Sequence, residues 1–69
     1  MSVYRVTDII GTSTDSWEAA ATEAVTTARK SIRDLRVAEV VAQDIQLSDS
    51  GAPTFRTKIR VSFKYEDGQ

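Results

Sequence analysis

Two acidic side chains stand inside an otherwise apolar stretch, and they are the first candidates for chemistry. Glu39 and Asp44 lie within residues 35–47, LRVAEVVAQDIQL. A carboxylate in such surroundings is paired with a cation, hydrogen-bonded or bound to a metal. Its oxygens suit calcium or magnesium, and copies brought together on a symmetry axis would supply several ligands at once. We therefore weigh Asp44 and Glu39 as metal ligands against a plain salt bridge or a strand-end hydrogen bond.

A row of cations further along the chain provides the counter-charge. Residues 54–65, TFRTKIRVSFKY, alternate cleanly between apolar and polar side chains. The basic residues of this cationic row share one parity: Arg56, Lys58, Arg60 and Lys64. Glu39 is expected to lie beside the row and to pair with it. The alternative is that Arg56, Lys58 and Arg60 hold a phosphate group of a nucleotide.

The residue types exclude most catalytic machinery. The chain has no cysteine and no histidine, which removes disulfides, thiolate metal sites and the usual nucleophilic triads. It has no phosphate-binding glycine loop, no HExxH and no EF-hand loop. Glu39 and Asp44 are five residues apart, so a regular strand would place them on opposite faces and not as an acid/base pair. The sequence therefore predicts a protein that is not an enzyme.

The length and charge of the chain limit which classes of protein remain. Its 69 residues allow one domain, 1–69, which buries too little surface to be robust alone. Nine basic and ten acidic residues give a net charge of −1, unlike a nucleic-acid binder. No apolar run approaches the ~20 residues of a membrane span. MSVYRVTDII does not have the pattern of a signal peptide, so a cytoplasmic location is expected.

The elements that must position these residues follow the order β-α-β-β, an α+β fold. We predict a first strand over 2–10 ended by Gly11, a helix over roughly 14–34, a second strand over 37–47, a turn over 48–53 and a third strand over 54–65. Strands two and three should pair as an antiparallel hairpin.

The helix carries one apolar stripe, mostly alanine. Its members are Trp17, Ala20, Ala21, Ala24, Val25, Ala28, Ile32 and Leu35. Ser13 is the preferred N-cap, and Asp15 with Glu18 is the alternative. Acids come early in the helix and bases late, as the helix dipole favours. Trp17 is in register with the stripe, so we interpret it as a core or subunit contact and not as a cofactor stacker.

One helix covers only one face of a three-stranded sheet, so the other face is left open. The open face of the second strand would show either of two apolar sets: Val37, Val41, Ile45 and Leu47, or Ala38, Val40 and Ala42. An exposed patch of this kind indicates a partner, and the simplest partner is a second copy of the chain. The sequence thus predicts a homo-oligomer with contacts that are partly apolar and partly ionic.

At this point the chain resembles a known family. The GTSTDSWEAA junction, the VAEVVAQ strand, the RVSFKYED ending and the β-α-β-β order together are similar to the dodecins, over nearly the whole chain. The resemblance implies a three-stranded antiparallel sheet wrapped on one helix and a hollow sphere of twelve copies. It also implies binding and storage of a flavin without catalysis.

This sequence matches the flavin site of the flavin-binding dodecins only in part. Val37 stands where flavin-binding dodecins have the tryptophan that stacks on the isoalloxazine ring, and Arg56 stands where a glutamine contacts its polar edge. Gln43 matches a family glutamine. The candidate ligand-contacting residues are therefore Val37, Gln43 and Arg56 from this resemblance, together with Lys58 of the cationic row. Without the stacking ring, tight binding of flavin mononucleotide is not expected.

A dodecin subgroup described as calcium-binding, in actinobacteria, is more similar. The shared segments are MSVY, DIIGTS, SWE and VSFK, and its members lack the stacking tryptophan. We therefore expect a hollow homododecamer that binds or stores a divalent cation, most simply calcium. The alternatives are sequestration of a flavin or of coenzyme A, or an assembly with no ligand.

Overall fold

The computed structural model describes residues 2–49 and 51–64. Its elements are β1, Tyr4–Ser13; α1, Trp17–Ser31; β2, Val37–Gln46; and β3, Thr54–Lys64. The strands form one antiparallel sheet in the order β1-β3-β2, so the predicted α+β class and the hairpin of strands two and three are confirmed. Tyr65, predicted to end the third strand, lies outside the described residues. In the described ranges, no helix has the length and hydropathy needed to cross a bilayer.

The N-terminus of the helix is set by a serine other than the predicted one. Ser16 is the N-cap: its backbone is extended and its Oγ accepts a hydrogen bond from the Ala19 N–H at 3.0 Å. The predictions of Ser13 or Asp15 as the cap were wrong. Ser13 ends β1, and its Oγ instead accepts from the Asp15 N–H at 2.9 Å. The strand therefore passes into the helix through two consecutive side-chain-to-backbone turns.

The C-terminus of the helix also comes earlier than predicted. Ile32 has an extended backbone and still donates its N–H to the Ala28 carbonyl at 2.9 Å. Asp34 has a φ of 58°, a left-handed conformation in which a helix cannot continue. The predicted range of 14–34 was thus too long at both ends.

The core lies between the alanine stripe of α1 and the centre of the sheet. The buried residues of this interface are Ala20, Ala24, Ala28, Thr57, Ile59 and Val61. Gly11 makes the close approach possible, since a Cβ there would lie 2.0 Å from the Ala20 carbonyl oxygen. The prediction that Gly11 ends the first strand was wrong, because β1 continues to Ser13. A glycine inside a strand here marks a site where another backbone comes very close.

A β-bulge in β2 explains why its sequence does not alternate. Val40 pairs with Ile59 and Ala42 pairs with Lys58, so Val41 is an extra residue between two consecutive pairs. The bulge exchanges the two faces of the strand beyond it. Neither apolar set expected from strict alternation is therefore correct. Val37 and Ala42 lie on the side away from the helix, whereas Ala38, Val40 and Ile45 lie on the helix side.

Candidate functional site on the uncovered sheet face

The face of the sheet away from the helix is both apolar and highly charged. From the strand registers, this uncovered face consists of Tyr4, Val6, Asp8, Ile10, Thr12, Val37, Glu39, Ala42, Asp44, Gln46, Thr54, Arg56, Lys58, Arg60, Ser62 and Lys64. Val6, Ile10 and Val37 are each more than half exposed, at 57%, 53% and 58%. Exposed apolar side chains so close together in a small domain indicate a surface that is covered by a partner.

Asp44 forms a bidentate ion pair with Arg56. Both carboxylate oxygens of Asp44 accept from the guanidinium, from Nε and Nη2, at 2.7 Å each. These hydrogen bonds, and then the positive charge, hold the pKa of Asp44 below its ordinary value of 3.8 and raise the pKa of Arg56. The salt-bridge interpretation of Asp44 is therefore confirmed within one chain. A metal ion would have to share this carboxylate with the arginine.

Asp8 is the second anion of this face, and it was not among the predicted site residues. Its carboxylate accepts from Nε and Nη2 of Arg60 at 2.8 and 3.1 Å, and it lies 3.8 Å from Nζ of Lys58. The hydrogen bonds to Arg60 are the largest cause of the lowered pKa of Asp8. The signal was present, because Asp8 shares a parity with Val6 and Ile10 and is the only acid in the sequence of the first strand.

Glu39 does not pair with the cationic row in the way predicted. It lies opposite Arg60 in the sheet, and its charge contributes to the raised pKa of Arg60. Its carboxylate nevertheless forms no ion pair within 4 Å among residues 2–49 and 51–64, because Arg60 turns to Asp8 on the other side. Glu39 is thus the carboxylate of the uncovered face that is not engaged by a cation in the described part of the chain.

The bulge places Glu39 and Asp44 on the same face, so the expectation of opposite faces was wrong. They lie opposite Arg60 and Arg56, which are four positions apart along β3. At about 3.3 Å per residue this is roughly 13 Å, too far for both carboxylates of one chain to bind one ion. No group of three potential ligands that could hold a metal occurs in the described ranges. The oxygens suit calcium, but a complete set of ligands would need more than one chain.

The other predicted ligand-contacting residues are only partly brought together. Arg56 and Lys58 border one shallow cavity of about 270 Å³, together with Ile10, Ala42 and Asp44. Val37 lies on the same face but at its far end, opposite Ser62. Gln43 pairs with Thr57 and so lies on the helix side of the sheet. A single chain therefore does not bring the four predicted ligand-contacting residues together.

Trp17 ties the start of the helix to both neighbouring strands. Its indole N–H donates to the Asp44 carbonyl at 3.0 Å, and its ring meets Phe55 edge to face, with centroids 5.1 Å apart. Its own carbonyl accepts from the buried Thr57 hydroxyl at 2.9 Å. The interpretation of Trp17 as a packing residue is confirmed, and its position fixes the backbone that presents the Asp44 carboxylate.

Comparison with known proteins places the chain. The family described as Dodecin matches residues 3–66. The chain belongs to the dodecin family. This dodecin is 55% identical, over 69 residues, to the protein named calcium dodecin from Mycobacterium tuberculosis, covering 100% of this chain and 97% of the relative.

Solved dodecin structures share the fold along the whole chain. The crystal structure of the calcium-chelating calcium dodecin from Mycobacterium tuberculosis has a TM-score of 0.88 at 54% identity and covers 99% of this dodecin and 97% of that chain. A dodecin from Streptomyces coelicolor has a TM-score of 0.86 at 31% identity, with coverage of 97% and 96%. The predicted family, and the expectation of greater similarity to a calcium-binding member, are thus confirmed.

Proposed function

We propose that this dodecin is a non-enzymatic calcium-binding or calcium-storing protein that assembles through the uncovered face into a hollow shell of twelve copies. The observation that carries the proposal is the composition of that face, where carboxylates lie among exposed apolar side chains. Such a face is unfavourable in water but suits a contact between copies. Full-length identity of 55% to a protein named for calcium supports the choice of ion.

The proposed calcium ligands are Glu39 and Asp44, contributed by different copies. Glu39 is the better candidate because, within the described residues, no cation lies within 4 Å of it. Asp44 already accepts two hydrogen bonds from Arg56, so it would offer calcium only its remaining lone pairs. Calcium takes six to eight oxygens, and copies meeting on a symmetry axis would repeat each carboxylate around one ion.

Flavin and coenzyme A are less well supported as ligands. Val37 provides no ring to stack on an isoalloxazine. Arg56 lies towards the opposite end of the face from it, and Lys58 lies near the middle. The guanidinium groups of Arg56 and Arg60 are already occupied by carboxylates, so a phosphate would have to displace a bidentate ion pair. We therefore rank both below calcium.

Calorimetric titration of metal-stripped protein with calcium tests the proposal. The parent should bind calcium, and the Glu39→Gln and Asp44→Asn variants should each bind it at least about tenfold more weakly, because each loses one anionic ligand per copy. Glu23→Gln is the matched control, since Glu23 is an exposed residue of α1, which packs on the other side of the sheet from Glu39 and Asp44. Its calcium affinity should equal that of the parent.

Three outcomes would count against parts of this proposal. A parent that takes up no calcium would refute the choice of ion. Unchanged affinity in an E39Q/D44N double variant would refute the ligands but not the ion. Quenching of flavin mononucleotide fluorescence at micromolar protein would reverse the ranking of flavin and calcium.

A further inference from the structure

A second charged region lies where the helix leads into β2. Residues 28–36, ARKSIRDLR, contain four of the chain's nine basic residues and a single acid, Asp34. We call these basic residues the helix-end cluster: Arg29, Lys30, Arg33 and Arg36. The segment has a net charge of +3, whereas the whole chain has a net charge of −1. This local excess of positive charge has no part in the calcium proposal.

The turn after the helix brings three of these arginines to one pocket. The helix ends at Ser31 and the left-handed backbone of Asp34 redirects the chain towards β2. Arg29, Arg33 and Arg36 consequently line a single open cavity of about 480 Å³, with Ile32, Asp34 and Leu35. This volume lies within the range of small-ligand sites.

The arginines of the pocket are poorly neutralised by the protein itself. Among the described residues, the ion pair of this pocket joins Arg36 Nη2 to Asp34 Oδ1 at 3.8 Å, and both side chains are nearly 80% exposed, at 79% and 78%. An exposed pair with this geometry contributes little. In contrast, Arg56 and Arg60 on the uncovered face each have a carboxylate oxygen within 2.8 Å.

The helix dipole accounts for only part of the cluster. The carbonyl end of a helix favours cations in its last turn, where Arg29 and Lys30 lie. Arg33 and Arg36 follow the helix and are not needed for that purpose. Guanidinium groups present rigid forks of donors that match phosphate oxygens in pairs, which a lysine ammonium cannot do.

We propose that the helix-end pocket is a binding site for a small soluble polyphosphate group, a diphosphate or triphosphate, gripped by the guanidinium forks of Arg29, Arg33 and Arg36. No residue of the uncovered face lines this pocket. It therefore stays accessible when copies of the chain close over that face, and it shares no ligand with the proposed calcium site. Every copy of an assembly would carry one such pocket.

Calorimetric titration with inorganic pyrophosphate, in calcium-free buffer because pyrophosphate chelates calcium, tests this site. The parent should bind saturably, and its affinity should fall steeply with added salt. An R29A/R33A variant should bind about a hundredfold more weakly, because each arginine removed takes away a charge-assisted hydrogen bond that strengthens binding roughly tenfold. An R29K/R33K variant keeps the charge but not the forks, and it should bind about tenfold more weakly.

The control shifts the net charge by the same amount elsewhere. A T14E/A52E variant adds two negative charges at exposed loop positions at the other end of the sheet, where β1 leads into α1 and β2 turns into β3, and it should keep the parent affinity. An equal loss in this variant would reduce the effect to general charge attraction and overturn the site. Parent protein that gives no pyrophosphate heat, or an R29K/R33K variant that binds like the parent, would overturn the proposed recognition by guanidinium forks.

Discussion

The two faces of the sheet differ in how far their apolar side chains are buried and in what pairs with their polar groups. On the helix side, Thr57, Ile59 and Val61 are almost completely buried, and the alanines of α1 pack directly on them. On the uncovered face, Val6, Ile10 and Val37 remain more than half exposed, and the polar groups are held by ion pairs. The helix side is closed within the chain over the centre of β3, although Val40 and Ile45 of β2 remain 53% and 43% exposed there. The other face has side chains suited to contacts with further copies.

The difference between the faces also shows how tightly each is constrained. Gly11 has no space for even one added carbon, because the helix backbone lies against it. The ion pairs of the uncovered face are partly exposed, with the Arg56 side chain at 39% and the Asp44 side chain at 55%, so packing constrains them less. Substitutions on the helix side should therefore impair folding of each chain, whereas substitutions on the uncovered face should impair association.

The largest effect is expected for Gly11→Ala. The added methyl would meet the Ala20 carbonyl oxygen at 2.0 Å and the Ala24 Cβ at 2.9 Å, so the helix would have to move away from the sheet. Overpacking against backbone should cost about 3 kcal/mol or more. Chemical denaturation measures the loss. The control is Gly51→Ala, whose new carbon meets only the Ser48 hydroxyl at 3.1 Å and should change stability by less than about 1 kcal/mol.

A charge placed on the uncovered face should act on assembly instead. Val6→Asp would bury an unpaired carboxylate wherever copies close over this face, which costs roughly 3 kcal/mol or more. We expect a lower mass by light scattering and a melting temperature that depends strongly on protein concentration. Thr22→Asp adds the same charge to an exposed position on the helix and should leave the mass unchanged. A Val6→Asp protein with the mass of the parent would contradict the assignment of this face.

A smaller effect is expected for Thr57→Val, which removes one buried hydrogen bond and preserves the shape of the side chain. The Thr57 hydroxyl donates to the Trp17 carbonyl, so its loss should destabilise the chain by about 1 kcal/mol. Thr7→Val is the control, because Thr7 is exposed although it faces the same way. Equal denaturation midpoints for the parent and Thr57→Val would show that this bond does not hold the helix to the sheet.

The smallest effect concerns acid, because the ion pairs are exposed to solvent. The pKa values of Asp8 and Asp44 are lowered by hydrogen bonds from Arg60 and Arg56. Their contribution is therefore fully present above the ordinary pKa of about 3.8 and is lost as pH falls through the lowered values. A D8N/D44N variant should lose less stability than the parent between pH 5 and pH 2.

The control for the acid experiment is an E18Q/E23Q variant, which removes two helix carboxylates that are remote from the cationic row. Its acid dependence should follow that of the parent. If the parent and D8N/D44N lost the same stability between pH 5 and pH 2, the two ion pairs would add nothing to stability. Many exposed ion pairs contribute nothing measurable.

Much of the fold could be predicted because its pattern is local. The strict alternation of residues 54–65 fixed the two faces of β3, and the alanine stripe fixed the buried side of α1. The bulge at Val41 was not predicted, because one extra residue leaves no mark except a failure to alternate. That single residue reversed the predicted orientation of Asp44 relative to Glu39.

The site was harder to predict than the fold because its pairs span the sheet. Asp8 and Arg60 are far apart in sequence and meet only through the register of β1 and β3. Ser16 was passed over as the N-cap because several serines, threonines and aspartates precede the helix, and composition alone does not choose between them. The spacing of residues in the sequence identified the residue types of the uncovered face, but not which carboxylate forms an ion pair with which arginine.

The central claim is that copies of the chain close over the uncovered face. Light scattering coupled to size exclusion, on freshly purified protein at low micromolar concentration, tests it most directly. Twelve chains of 7.6 kDa predict a mass of about 91 kDa. A stably folded species of 7.6 kDa would contradict the account, because the exposed valines and isoleucine of that face would then be satisfied in water without any partner.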